Sequence, residues 1–522
     1  MNDAAPDSSA DRGSKSGGHE RHLALGTLAQ QVSTIAWTLA MLVVTTAVAR
    51  TRSLPEFGVW GLLTSFTTYL LLVQISVESA AVKSLGEAGV QHETARSGAF
   101  TIAAVLYVVG GLATGVLVAG VAMALLGVLD IPHRLLGESR ESVAALGAVM
   151  ILGWPLKVFQ DVLRGAQRFV AAATAEVAAA LAFGCIGAVL VGIDAPLWSL
   201  VALGGSPPAL VGAAATVIVI TRRLRPAFDL ASLRAEEVRA FLGLSGALFG
   251  LGIADLVIYS LDRLILGIFR PISVVGLYEG PVRAHNLVRQ ANGTLVTTVL
   301  PAAAAFLGAG DAQRARELLV RGTRYVVAAV VPLTVVLMVL ARPILEAWLG
   351  PKFGPAGLAL TIFVSYWLAA SSTSVAGPML VAAGRAGSLL RYAWALALAN
   401  LVLSLILTPL IGLEGVVIGT ALPNFIIVPV ILRLAVRTFG VSVRELEDRV
   451  WIPAFSLAAV QAVVLVAVRI FASPQGAIAV AAVCLAALAA YWLAYLVIWL
   501  DPGERLLMRD VGRTFTSRLR TA

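Results

Sequence analysis

Residues 274–301 read VVGLYEGPVRAHNLVRQANGTLVTTVLP. The run is long and apolar enough to cross a bilayer, which takes about 20 mostly apolar residues, yet it carries a set of ionisable and amide side chains. Glu279, Arg283, Asn286 and Gln290 recur at i, i+4, i+7 and i+11, one narrow stripe of a helix, and His285, Arg289 and Asn292 form a second stripe beside it. Gly280 and Pro281 interrupt the hydrogen-bond ladder at the same place. A break of that kind is tolerated at membrane depth only where the backbone is covered by protein or lines water. The segment is therefore expected in the wall of a polar cavity within a bundle of membrane-spanning helices.

Two readings of its charges stand side by side. Glu279 and Arg283 can neutralise each other as an i, i+4 pair while Arg289 snorkels to the inner interface. Alternatively, two arginines and a histidine, partly offset by one carboxylate, make a positive pocket for phosphate oxygens. The second reading expects an anionic substrate bound by Glu279, Arg283, His285, Asn286, Arg289 and Gln290.

The rest of the chain has the same character. Of 522 residues 59% are hydrophobic and only 13% charged, with a mean hydropathy of +0.88, whereas soluble domains carry about 25% charged residues. Residues 1–22 are small, polar and charged and read as a disordered cytoplasmic tail. The run from Leu23 to Ala49 exceeds a signal-peptide core and ends in Arg50 and Arg52 with no cleavage site, so it should remain as a helix. Further runs bring the expected spans to about fourteen, near 24–49, 58–82, 98–128, 143–163, 169–192, 197–220, 240–267, 274–305, 322–341, 356–383, 390–411, 414–436, 452–472 and 477–500. With the N-terminus in the cytoplasm, cytoplasmic segments hold 27 of the 39 Lys and Arg and outer loops hold 7, which orients both termini inward. The longest basic connection, TRRLRPAFDLASLRAEEVRAF (221–241), reads as a surface-lying helix between two halves.

Those halves repeat. Gly58 and Trp60 of LPEFGVWGLLTSF (54–66) match Gly276 and Tyr278 of ISVVGLYEGPVRA (272–284), and Arg168 of LRGAQRF matches Arg385 of LVAAGRA at nearly the same offset. Six spans per copy is an even number, so the copies share an orientation and imply an axis along the membrane normal. The expected fold is all-α: a polytopic membrane protein with two six-helix lobes around a central cavity plus two extra C-terminal helices. Its segments are a tail (1–22), an N-lobe (23–220), a basic linker (221–239), a C-lobe (240–436), two added spans (437–500) and a basic cytoplasmic tail (501–522).

Other polar residues at membrane depth are Gln30, Gln31, Glu78, Lys157, Glu176 and Asp255 with Asp262 and Arg263. Glu78, Lys157, Glu176 and Asp255 are candidates for ion coupling or for lining the cavity. Asp255, Tyr259 and Asp262 share a face, which suits a cation or proton site as well as a structural pair with an arginine. Four lysines against 35 arginines fit phosphate recognition by the guanidinium fork and equally a coding bias in an Ala-rich chain.

Several classes are excluded or disfavoured. Cys185 and Cys484 lie in apolar runs and suggest neither disulfide nor thiolate metal site. The net charge of +9 is scattered over short loops, which points to anionic membrane lipids as partners and not to nucleic acid. No GxxxxGK[ST] or HExxH motif occurs, so neither ATP hydrolysis nor a metal cofactor is expected. The longest outer loops, near 129–141 and 342–355, leave little room for the catalytic acids of a membrane glycosyltransferase or polymerase.

Together LPEFGVWGLLTSF (54–66), RGAQRF (164–169), SLDRLILGIFRPISVVGLYEGPVRA (260–284), ILEAWLGPKF (344–353) and the stretch 380–422 ending in GLEGVVIGTAL resemble the polysaccharide flippases of the multidrug/oligosaccharidyl-lipid/polysaccharide exporter superfamily, the O-antigen and teichoic-acid exporter type. The resemblance covers residues 24–440. It implies a V of two six-helix lobes, alternating access in the inner membrane, and an undecaprenyl-diphosphate-linked oligosaccharide as cargo, with polysaccharide polymerase and chain-length machinery as possible partners. It also makes Arg283 and Arg289 the residues that face the diphosphate. The first lobe departs from a two-sided basic clamp, since Lys157 is its only clear intramembrane cation. A lipid II flippase of the same superfamily is the nearest alternative. A cation-coupled multidrug exporter fits less well, having about twelve spans and a carboxylate-dominated cavity, and a non-transport scaffold has no use for arginines in lipid.

The orientation is checked by reporter fusions: a phosphatase active only outside the cytoplasm should be silent when fused after residue 239 or 522 and active when fused within 342–355.

Overall fold

The computed structural model describes residues 9–91, 93–222, 228–230, 235–236, 238–239, 241 and 261–499. Among them every regular element is helical. That is the outcome hydrocarbon imposes, because a helix satisfies its own backbone N–H and C=O groups where no water can. Among the described residues eleven helices are long and apolar enough to cross a membrane, and twelve if the pair Leu197–Gly205 and Pro207–Thr221, bent by 58°, is one broken span. The bend falls at Ser206, just before Pro207 and Pro208. The second expected span lies in one helix of 38 residues, Leu54–Gln91. Of the seventh, expected at 240–267, residues 242–260 lie outside the described residues.

The chain folds as two compact units, residues 1–276 and 277–522. In the first, α1 (Ser9–Thr51) packs on α6 (Phe169–Gly192). Helix α2 (Leu54–Gln91) packs on α3 (Glu93–Leu126) and α5 (Val158–Gly165). Helix α4 (His133–Gly153) lies against α3 and α7 (Leu197–Gly205), and α8 (Pro207–Thr221) closes on α6. Helix α1 begins at Ser9, inside the segment read as a disordered tail, because a helix already nucleated by an apolar span extends into polar residues at little further cost. Ser53 and Glu56 form a reciprocal cap at the start of α2. The Ser53 amide donates to Glu56 Oε2 at 2.8 Å and the Ser53 hydroxyl to the same oxygen at 2.5 Å. Burial pushes the Glu56 carboxyl up, but these bonds and the charge of Arg52 outweigh it and hold the group below the usual carboxylate range. One turn on, buried Trp60 stacks on Phe57 and donates its indole N–H to the Leu200 carbonyl at 3.0 Å. Gly58 and Gly276, the glycines matched by the repeat, stand against each other: a Cβ on Gly58 would lie 2.1 Å from the Ile272 oxygen and one on Gly276 2.2 Å from the Leu54 oxygen.

Helix α9 (Asp262–Phe269) ends the first unit together with the opening turn of α10 (Ile272–Val296), which continues as α11 (Val299–Gly308). The second unit is organised on α12 (Ala312–Val339), capped by the Asp311 carboxylate, which accepts from the Arg314 amide at 3.0 Å. Against α12 pack α13 (Ala341–Leu349), α14 (Gly357–Ser365) and the short helices α15 (Trp367–Ala370) and α16 (Ala376–Ala382). These last belong to a run broken by the 3-10 turn Ser371–Thr373. The pair α17 (Ala386–Ile411) and α18 (Leu413–Phe439) turns back on itself at Gly412, which has φ 70°. Gly415 and Gly419 then let the two backbones approach. An added Cβ would meet the Leu407 oxygen at 2.4 Å from Gly415 and the Ser404 hydroxyl at 2.3 Å from Gly419. Asn400 donates to Thr420 across the same seam at 2.8 Å. A short helix α19 (Val443–Leu446) and the π-helical turn Glu447–Trp451 lead into α20 (Ile452–Phe471) and α21 (Ala477–Ile498).

Overpacking of such a seam costs about 1–3 kcal/mol. Gly415→Ala should accordingly lower the melting temperature of the purified protein, while Gly387→Ala, where a Cβ meets nothing within 4 Å, should leave it unchanged in the same assay.

Candidate functional site

The polar residues of the second unit follow from the shape of α10. Pro281 lies inside this helix and removes one rung of its ladder. Gly280 leaves room for the Leu345, Leu349 and Phe353 side chains of the neighbouring segment, at 3.0–3.6 Å from where its Cβ would be. The helix thus runs unbroken through Ile272–Val296, and the lost rung is covered by protein, as membrane depth requires. Glu279 is fully buried and holds the Arg283 guanidinium at 3.2 Å, with 21% of the arginine side chain exposed. Arg289 and Asn286 are half-buried and Gln290 is exposed. The i, i+4 pair foreseen from spacing is thus formed, and the arginine it holds is not sealed.

His285 has a different place from its stripe neighbours. Its ring is buried and stacks on Phe363 at 4.2 Å with an 8° tilt between planes, and its Nε2 meets the Tyr366 hydroxyl at 2.6 Å. Trp367 lies 5.9 Å away. A ring so enclosed fixes the rotation of α10 against α14 and α15. Asn292, further along, is buried with no hydrogen bond to its Oδ1.

In the first unit Glu78, Lys157 and Glu176, read separately from the sequence, come together in one network. Lys157 Nζ lies 2.8 Å from Glu78 Oε2. Arg164 bridges Glu78 and Glu176, reaching Glu176 Oε1 at 2.6 Å. Glu176 also accepts from Gln160 at 2.6 Å, Gln30 at 3.0 Å and the Ser33 hydroxyl at 2.5 Å. Beside them Tyr107 donates to Asp161 Oδ2 at 2.8 Å. The geometry comes from a broken run. The 3-10 turn Trp154–Lys157, with Pro155 inside it, separates α4 from α5 and turns Lys157, Gln160, Asp161 and Arg164 toward α2, α3 and α6.

Arg164, Gln160, Asp161 and Tyr107 are not among the candidates read from the sequence. The signal was present, since Lys157, Asp161 and Arg164 follow the i, i+4, i+7 rule already applied to α10. Asp255 and Tyr259 lie outside the described residues, and Asp262 is buried at the start of α9. Among the described residues no group of three or more His, Cys, Asp or Glu side chains is placed to hold a metal ion.

Long apolar helices and buried charge networks mark a polytopic membrane protein. Residues 47–357, more than half of the chain, match the family model described as polysaccharide biosynthesis protein, and the chain belongs to that family. Among solved structures, one similar chain is the lipid II flippase MurJ in an inward closed conformation, at 12% identity over 90% of this chain and 99% of that one, with a TM-score of 0.68. Another is an inward-facing multidrug resistance MATE family transporter of the MOP superfamily, at 12% identity over 77% and 94% and a TM-score of 0.66. A point mutant of the Vibrio cholerae MATE transporter VcmN aligns at 15% identity over 80% and 98%, with a TM-score of 0.57. No curated protein matches the sequence significantly.

Removing one partner from a buried charged network costs about 3–5 kcal/mol. Glu176→Ala, which strands Gln160 and leaves Arg164 with Glu78 alone, should destabilise the purified protein by that order, and Glu176→Gln by less, as read by thermal unfolding.

Proposed function

We propose that the protein is a flippase of the cytoplasmic membrane that carries an undecaprenyl-diphosphate-linked oligosaccharide from the cytoplasmic to the outer leaflet by alternating access, for surface polysaccharide biosynthesis. The observation that carries the reading is Arg283: a guanidinium on a membrane helix with an internal proline, anchored by a sunken carboxylate yet partly open, in a chain of the polysaccharide biosynthesis family. Arg289 adds a second cation two turns along, with Asn286 and Gln290 on the same helix as neutral donors. A diphosphate offers several acceptor oxygens, and charge-assisted bonds from Arg are the strongest match for them. His285, enclosed by Phe363 and Tyr366, orients the helix in this reading. Both termini lie in the cytoplasm, and the protein transports without catalysis.

The energy is available without a nucleotide. A diphosphate lipid carries roughly two negative charges, and an inside-negative potential contributes about 2.3 kcal/mol per charge per 100 mV toward outward movement. Anionic lipids are expected at the basic connections, and polymerase and chain-length machinery are the partners that would consume the product.

Likeness in fold to a lipid II flippase over nearly the whole of both chains favours a second reading, in which the cargo is a peptidoglycan precursor. The two readings share the diphosphate and differ in the sugar, so complementation of a lipid II flippase deletion against restoration of surface polysaccharide separates them.

A lost charge-assisted hydrogen bond is worth about 1.5–3 kcal/mol, or on the order of 10- to 100-fold in rate. Arg283→Ala should reduce export by that factor at normal protein levels, and Arg283→Lys should restore only part, keeping charge but not the planar fork. Unimpaired export by the Arg283→Ala, Arg289→Ala double variant would overturn the assignment of the site.

A further inference from the structure

The first-unit network has an imbalance of charge. Lys157 and Arg164 face three carboxylates, Glu78, Glu176 and Asp161, and none of these five side chains is more than 22% exposed. An uncompensated charge in such surroundings is costly, and buried carboxyl groups relieve the cost by holding a proton. The hydrogen bonds indicate which one does. Glu176 accepts from Gln30, Ser33, Gln160 and Arg164, so both of its oxygens are occupied. Glu78 is held by two cations. Asp161 is fully buried, and of its two oxygens Oδ2 accepts from Tyr107 while Oδ1 has no hydrogen-bond partner. Apolar side chains close around it, with Val158, Val162 and Tyr107 in one core cluster.

We propose that Asp161 is a proton-binding site, protonated in the state described here and ionised when the first unit changes conformation. The charged and titratable groups around it are Lys157 on the preceding turn, Arg164 on the following one, Tyr107 on α3, Glu78 on α2 and Glu176 on α6. Helix α8, packed on the same element, brings none, and Lys83 of α2 is exposed. Release of the proton to water leaves a carboxylate four residues from Lys157 on the same helical face. The new anion competes with Glu78 for that ammonium, so the link between α2 and the broken run 154–165 loosens. The Pro155 turn supplies a joint at the same point. Proton release thereby becomes a change in helix packing, and on the flippase reading it couples transport to the pH gradient.

The site itself is tested without transport. Infrared difference spectra of the purified protein in lipid, recorded across pH, should show a carboxylic C=O band that fades as pH rises and is missing from Asp161→Asn. Glu78→Gln, which removes the surplus carboxylate and frees Lys157, should make the band fade at lower pH than in the wild type. Tyr107→Phe, which removes the donor that favours the ionised form, should keep it to higher pH than in the wild type, a shift that a purely structural role for the tyrosine would not produce. Absence of the band in the wild type, or its persistence in Asp161→Asn, would overturn the proposal. In proteoliposomes loaded with a fluorescent undecaprenyl-diphosphate sugar, Asp161→Asn should lose the several-fold effect of an imposed pH gradient while responding to membrane potential. An unchanged pH-gradient effect in that variant would remove the coupling. If the wild type moves no lipid at all, the flippase reading fails while the infrared titration still decides the proton site.

Discussion

Glu176 takes hydrogen bonds from α1, through Gln30 and Ser33, and from α5, through Gln160 and Arg164. Arg164 extends the same connection to Glu78 on α2. Helices in lipid gain little from burying apolar side chains against one another, because the acyl chains are as apolar as leucine, so polar contacts and close packing have to distinguish the right neighbours. In the first unit this one carboxylate selects them. Charges at this depth are stable only as a closed set, which makes the arrangement of four helices a single cooperative decision.

The same economy governs the breaks. The runs are interrupted at Trp154–Lys157, at Ser206 and at Ser371–Thr373, Pro281 removes a rung inside α10, and each of these leaves backbone groups that hydrocarbon cannot satisfy. Around α10 the missing rung is roofed by Leu345, Leu349 and Phe353. The breaks and the ionisable residues coincide in both units: Lys157 follows one, Glu279 and Arg283 flank another. A helix that is already irregular can aim a side chain across its axis, and the polar surroundings that stabilise the charge also accept the stray backbone groups.

Much of this was legible in the chain. Length and apolarity announced the helices, and the spacing of Glu279 and Arg283 announced their pair, because both depend on local periodicity. GLEGVVIGT was legible as a motif, though its reason, the turn at Gly412 and the close approach at Gly415 and Gly419, needs coordinates. What was not legible is long-range pairing. Glu78, Lys157 and Glu176 were each noticed alone, and nothing in one dimension says that Arg164 bridges two of them or that His285 stacks on a ring 78 residues away. Arg164 was not singled out for a physical reason: next to a turn, a cation looks solvated unless its carboxylates are known.

Arg324 gives the second unit an order of assembly. This arginine of α12 is buried, and its contacts include the Tyr495 hydroxyl at 3.1 Å and the Trp499 carbonyl, at the far end of α21. During synthesis α12 enters the membrane some 170 residues before those groups exist. Until then the guanidinium must reach water or a lipid phosphate at the interface, where snorkelling allows it to wait. Closure of the second unit is thus a late event on the ribosome, completed only when α21 arrives, and a nascent chain that stalls before residue 495 carries an exposed membrane cation of the kind that quality-control proteases can recognise.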